Sequence, residues 1–222
     1  MATPSDGRYH RFPPLPYLRG LLERNGWSAV AEMGVPSYIH ANPLARWFAW
    51  RKVELAAEWV GGASLGTVLD FGCGAGTMLQ HLNAVAEVAY ACDVETSVAR
   101  QVCADHGLDR VVLLSGQDSL EGVAAGSLDV IVALEVLEHV DELENVRDTF
   151  ARLLRASGRL IVSVPTENWC YRIGRRIAGF RPGFHVRGAS AVDACLAERF
   201  SMMRRRYLPP LLHLYEVVEY VL

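Results

Sequence analysis

One short stretch, "VLDFGCGAGT" at residues 68–77, limits the folds open to this 222-residue chain more than any other. An apolar run ends in Asp70 and Phe71, and Gly72, Gly74 and Gly76 then follow at alternate positions. Glycines in that rhythm end a strand, because a backbone without Cβ atoms can turn sharply and come close to a ligand or a neighbouring helix. A dinucleotide-binding turn has the spacing Gly-x-Gly-x-x-Gly, and here the third glycine arrives one place early. A phosphate-gripping loop ends in Gly-Lys-Ser/Thr, whereas this chain continues Gly76, Thr77, Met78 and holds its sole lysine at Lys52. The carboxylate of Asp70 beside the turn disfavours a pyrophosphate and favours a cationic or amine-bearing ligand.

Around the turn, short apolar runs predict strands at 67–71, 87–92, 110–114, 128–133 and 159–164. The longer mixed segments predict helices near 76–84, 95–106 and 141–155. Such alternation builds βαβ units around a parallel sheet. Upstream, Tyr17 to Asn25 reads as a short helix. Asn42 and Pro43 read as a cap with proline at the first helical position, opening a helix through Trp47, Phe48, Val53 and Trp59 that Gly61 and Gly62 end. Downstream, a helix at 189–198 leads to two strands joined across Pro209 and Pro210, which suits an antiparallel edge on a mostly parallel sheet. The length favours one domain: residues 1–43 as an N-terminal arm and substrate cap, with 1–16 flexible, and residues 44–222 as the main body.

Composition excludes several classes. A hydrophobic fraction of 51% argues against a disordered chain, and a net charge of −3 gives no general pull toward nucleic acid. Five scattered cysteines without a CxxC pair fit neither a secreted disulfide framework nor a common zinc pattern, so a reducing, cytoplasmic setting is expected. Residues 1–16 hold four prolines and lack the apolar core of a signal peptide, and no run approaches the roughly 20 apolar residues of a membrane span.

In an open α/β sheet the ligand lies beyond the carboxyl ends of the strands. Asp70 to Gly76, Asp93, Asp118, Leu134 to His139 and Pro165 to Trp169 each follow one predicted strand, so all belong to one crevice. Asp93 stands where a carboxylate accepts hydrogen bonds from ribose hydroxyls. These segments, "VLDFGCGAG", "AYACDVETSVA", "SGQDSL", "SLDVIVALEVLEHV" and "LLRASGRLIVSVPTENW", resemble the ordered motifs of the class I S-adenosylmethionine-dependent methyltransferases. The likeness is to the small-molecule group typified by ubiquinone-biosynthesis O-methyltransferases, and it runs from about residue 44 to 221.

The resemblance implies a Rossmann-like α/β fold: a seven-stranded, mostly parallel sheet of order 3-2-1-4-5-7-6 with strand 7 antiparallel. It implies S-adenosylmethionine as cofactor. Gly72, Gly74 and Gly76 would pass beneath its amino-acid and ribose portion, with Asp70 toward the methionine end. Asp93 would hold the ribose hydroxyls and Val94 lie against the adenine. Asp118 would accept from the adenine amine, the Ser119 backbone contact a ring nitrogen, and the Leu134 carbonyl receive the methionine ammonium. Glu135, Glu138 and His139 lie near the methyl-donor end, but their spacing is neither His-Glu-x-x-His nor an oxygen-rich magnesium set, so no metal is expected.

The expected reaction is methyl transfer to an oxygen of a small metabolite. The alternatives are transfer to nitrogen of a small molecule, or methylation of a nucleic acid or protein. His185 is the first candidate for a general base and His139 the second, although each also suits a packing or surface role. Residues 166–188 interleave Trp169, Tyr171, Phe180 and Phe184 with Arg172, Arg175, Arg176, Arg181 and Arg187. That mixture suits a lid over an acceptor with an apolar body and an anionic group, and equally a solvated helix. With Arg204 to Arg206 it also leaves contact with an anionic membrane surface open. Nothing in the sequence sets the oligomeric state.

Overall fold

The computed structural model describes residues 12–27, 30, 33–62, 64–166 and 187–222. Strands β1 (Leu65–Phe71), β2 (Ala86–Asp93), β3 (Val111–Ser115), β4 (Leu128–Leu134), β5 (Leu154–Pro165), β6 (Ser201–Leu208) and β7 (Tyr215–Val221) form one sheet, in the order β3-β2-β1-β4-β5-β7-β6. Neighbours among β1 to β5 are parallel, and β7 runs antiparallel to both β5 and β6. This is the expected order. Strand β4, "LDVIVAL", is apolar almost throughout because it is central and covered on both faces. Edge strand β6 is mostly exposed, and a register shift between Met202 and Arg204 together with its three arginines discourages further pairing.

Helices α1 (Leu15–Asn25), α2 (Val35–Tyr38) and α3 (Pro43–Val60) precede the sheet. Asn42 caps α3 as its residue type leads one to expect, with Oδ1 accepting the N–H groups of Leu44 at 2.9 Å and Ala45 at 3.4 Å. One stripe of α3, including Val53, Ala56 and Val60, packs on Val68, Val130, Val132, Ile161 and Val217 from one face of the sheet. The far end of α3 is clamped by Arg159, which donates to the Trp59 carbonyl at 2.8 Å, the Val60 carbonyl at 3.2 Å and the buried Glu219 at 2.7 Å.

Helices α4 (Leu79–Val85), α5 (Ser97–His106), α6 (Leu143–Leu153) and α7 (Ala189–Leu196) complete the layers. Leu143, Val146, Phe150 and Leu153 make one helical stripe on α6, buried against the opposite face of the sheet, where the Phe150 ring meets Phe71 edge-on at 5.0 Å.

Local expectations differ from the structure at four places. The helix predicted at 76–84 starts only at Leu79, because the turn closed by the Gly76 N–H on the Cys73 carbonyl (2.8 Å) comes first. The helix predicted to 155 stops at Leu153, and β5 begins at Leu154 rather than 159. Leu154 pairs with Leu128 before the register shifts, and a Cβ on Gly158 would lie 2.9 Å from the Leu128 carbonyl oxygen. The flexible arm predicted to residue 16 gives way to structure earlier. Leu15 is helical, and the Phe12 ring lies 5.7 Å from Trp50. Trp47, whose type suits either the helix core or a cover over the acceptor pocket, is 49% exposed and is not core. Residues 1–11 and 167–186, with most of the arginine-aromatic segment, lie outside the described residues, while Arg187 at its end donates to the Val140 carbonyl at 2.9 Å.

Candidate functional site

Strand order reverses between β1 and β4, which both start from the middle of the sheet, and the crevice of an open sheet forms at that reversal. At the end of β1 the N–H groups of Gly72 and Cys73 both donate to the Cys92 carbonyl, at 2.8 and 3.2 Å. Gly72 has φ +76°, and a Cβ there would sit 2.4 Å from Val136 Cγ2. Gly74 has φ +51°, and a Cβ there would lie 3.1 Å from the Met33 carbonyl oxygen, so the N-terminal segment crosses over the turn.

Asp93, at the end of β2, braces this turn. Its Oδ2 accepts the Gly74 N–H at 2.7 Å, its Oδ1 accepts the Glu95 N–H at 3.3 Å, and its carbonyl accepts the Gly116 N–H at 2.8 Å. The ends of β1, β2 and β3 are thereby tied together. Asp70 is 3% exposed. Burial, and secondarily the charge of Asp93, pushes its carboxyl up to about 7.

Val94 is 90% exposed at the rim. Asp118 is exposed on the 3-10 turn Gln117–Gly122. The Ser119 N–H, expected to face an adenine nitrogen, points back to the Gly116 carbonyl at 3.3 Å, and the Ser119 hydroxyl donates to the same oxygen at 2.5 Å. Both groups close their own turn. His139 is exposed at the end of the 3-10 turn Leu137–His139. His185 lies outside the described residues. The structure thus brings Asp70, Gly72, Gly74, Gly76 and Asp93 together at one strand-end corner, with Leu134 closing β4 beside them. Among the described residues no cluster of three or more His, Cys, Asp or Glu is arranged to hold a metal ion.

A second group was not gathered by sequence reasoning. Glu135 follows Leu134 with φ +55°, held by its N–H donating to the Ser163 carbonyl at 2.8 Å. Its Oε1 is ion-paired with Lys52 Nζ. Lys52 itself, on α3, is 4% exposed and lies 4.0 Å from the centre of the Tyr215 ring at the start of β7. Tyr38 shares a side-chain hydrogen bond with Thr77 of the glycine turn. Burial and the nearby carboxylates of Glu135 and Asp70 push its phenol upward. The signal available in the sequence was the single lysine of the chain set in an otherwise apolar helical stripe, "KVELAAEWV".

A parallel sheet with a reversed seventh strand, a glycine turn after β1 and an acid after β2 define the class I methyltransferase architecture. The family model for the methyltransferase domain matches residues 38–215, and the chain belongs to that family of S-adenosylmethionine-dependent methyltransferases. A ubiquinone biosynthesis O-methyltransferase of Xanthomonas oryzae pv. oryzae is 29% identical over 165 residues, 72% of this chain and 63% of that protein. One of Cupriavidus pinatubonensis is 30% identical over 115 residues, 50% of this chain and 46% of that protein. The chain therefore spans about half to under two-thirds of the length of these relatives. Among solved structures, the N-methyltransferase NodS of Bradyrhizobium japonicum WM9 in complex with S-adenosyl-L-homocysteine shares the fold. Its TM-score is 0.65 at 19% identity, covering 87% of this chain and 96% of that one.

The residues present fit the cofactor of this class. The buried Asp70, the carboxylate of Asp93 and the end of β4 gather acceptor groups suited to an ammonium and to hydroxyls, next to an exposed apolar Val94.

Proposed function

We propose that this protein transfers the methyl group of S-adenosylmethionine to an oxygen of a small metabolite. The observation that carries the reading is the corner where the buried Asp70, the glycine turn and the Asp93 carboxylate braced on the Gly74 N–H meet at the strand ends. Asp93 would hold the ribose hydroxyls, Val94 would cover the adenine, Asp118 would take the adenine amine, and Asp70 with the Leu134 carbonyl would hold the methionine end. When bound, the cofactor supplies an activated methyl group on a sulfonium. The chain's share of the work is then alignment, with a base needed only to receive the acceptor's proton. The choice of oxygen follows the curated relatives, which are named O-methyltransferases.

Transfer to nitrogen is the second reading, favoured by the likeness to NodS, named an N-methyltransferase, and to a nodulation protein S of Azorhizobium caulinodans that is 27% identical over 137 residues, 60% of each chain. An acceptor with an apolar body and an anionic group suits the arginine-aromatic composition of residues 166–188. Incubation with S-adenosylmethionine and a metabolite extract, followed by mass spectrometry, tests both readings. The expected result is a product heavier by one methyl group, whose fragmentation assigns the atom. Absence of any such product alongside firm S-adenosylhomocysteine binding would overturn the small-metabolite reading and keep the cofactor site.

A further inference from the structure

The pair formed by Lys52 and Glu135 has no part in holding the cofactor as proposed above, yet Glu135 directly follows Leu134 at the end of β4. Glu135 leaves the end of β4 immediately after Leu134, and its side chain crosses toward α3 and the start of β7. Position along the sheet puts the pair at the edge where the strand-end turns gather. Tyr215 pairs with Pro165, so the start of β7 and the end of β5 sit at the same edge as the ends of β1 and β4. Tyr38 links the pair to the glycine turn, bonded to Thr77 there while feeling the charges of both Glu135 and Asp70.

The two members of the pair are not equally accessible. The Lys52 side chain is 5% exposed and the Glu135 side chain 33%. Oε1 of Glu135 is sealed against the ammonium, so what the pair presents to the crevice is carboxylate. A carboxylate accepts hydrogen bonds and offers none. The buried lysine holds the carboxylate and balances its charge, and Glu135 leaves the strand with a left-handed backbone at φ +55°.

We propose that Glu135, oriented by Lys52, is the residue that grips the methyl acceptor through a hydrogen-bond donor on the acceptor atom. The site then takes a hydroxyl or an amine and turns away a carboxylate oxygen, which brings no donor for Glu135 to accept. Lys52 is a positioning residue. The assignment rests on the methyl-transfer reading.

Cofactor analogues test it without knowledge of the acceptor. S-adenosylhomocysteine lacks the transferred methyl group, whereas sinefungin carries a protonated amine in its place, so only sinefungin presents a donor where the acceptor meets the methyl. Calorimetric titration of the unaltered protein, E135Q and E135D with both ligands reads the difference. The double variant K52M/E135Q gives the same readout without a buried lone ammonium should E135Q fold poorly. The expected result is a sinefungin affinity that falls at least roughly tenfold relative to S-adenosylhomocysteine in E135Q, with E135D in between. Equal weakening of both ligands would overturn the proposal and give Glu135 to the methionine ammonium they share. No change in either would overturn it and leave the pair a purely structural contact. Failure of the unaltered protein to bind S-adenosylhomocysteine would overturn the cofactor site itself and this assignment with it.

Discussion

The Asp93 carboxylate accepts the backbone N–H of Gly74 at 2.7 Å across two strand ends, so the residue expected to hold the ribose also sets the shape of the turn beneath it. The two roles separate by substitution. D93N keeps an acceptor for the Gly74 N–H but loses the charge, and D93A loses both. The expected outcome is near-normal melting for D93N with S-adenosylhomocysteine affinity reduced roughly tenfold or more, because an ionic hydrogen bond contributes about 1.5–3 kcal/mol. D93A should lose cofactor affinity further and melt several degrees lower. Calorimetry and thermal unfolding check this, and an undiminished affinity in D93A would remove the ribose from this position.

Gly72 is required for two separate reasons, which predicts an incomplete rescue. With φ +76°, any side chain there is strained, and its Cβ would overlap Val136 Cγ2 at 2.4 Å. G72A should destabilise by about 2–5 kcal/mol, the sum of the left-handed penalty and overpacking. V136A added to it should recover the overlap alone. Denaturant unfolding of the two single variants and the double variant measures the coupling, and full recovery would mean that the backbone conformation costs nothing.

These residues show what a sequence can and cannot reveal. Glycines, Asp70 and Asp93 were legible because their chemistry acts locally, at the ends of apolar runs whose period marks strands. The start of β5 was hidden because Arg155 to Gly158 have no alternating pattern, and Leu128, far away in sequence, decides their pairing. Trp47 suited by type either the core or a pocket cover, but it is exposed while Trp50, three positions on, packs against Tyr38 at 4.8 Å. The contact of Lys52 with Glu135 joins residues far apart in sequence and leaves no periodic trace. Only the order of the folded strands brings them together.

Arg159 holds the end of α3 through carbonyls that have no helical partner. Replacing it with methionine leaves the Trp59 and Val60 carbonyls unsatisfied and deprives Glu219, 2% exposed, of one of its two arginines. Removing one partner of a buried ion pair costs about 3–5 kcal/mol. The remaining contact of Glu219 with Arg204 places R159M at the lower end of that range. R159M/E219Q should be less destabilised than the sum of the two single variants, as thermal unfolding would show. Strict additivity would mean that the two side chains act independently.

Asp70 predicts opposite pH effects on stability and on cofactor binding. Its carboxyl is raised from the ordinary 3.8 to about 7, chiefly by burial and then by Asp93, with Tyr38 also in its field. Between these values the folded protein holds a proton that the unfolded chain has released. The group's stabilising contribution is therefore full below about 4 and is lost as pH rises through about 7. An ammonium ligand prefers the ionised form, so affinity for S-adenosylhomocysteine should rise over the upper part of the same interval. Other groups titrate too, among them Glu216, which burial raises, so the comparison is between the unaltered protein and D70N. Subtracting the D70N melting profile from pH 5 to 8 should leave a difference that falls with pH, by several degrees for a chain of this size. D70N should also lose the rise in affinity. If both slopes survive in D70N, the charge that the cofactor meets in this crevice belongs to another residue.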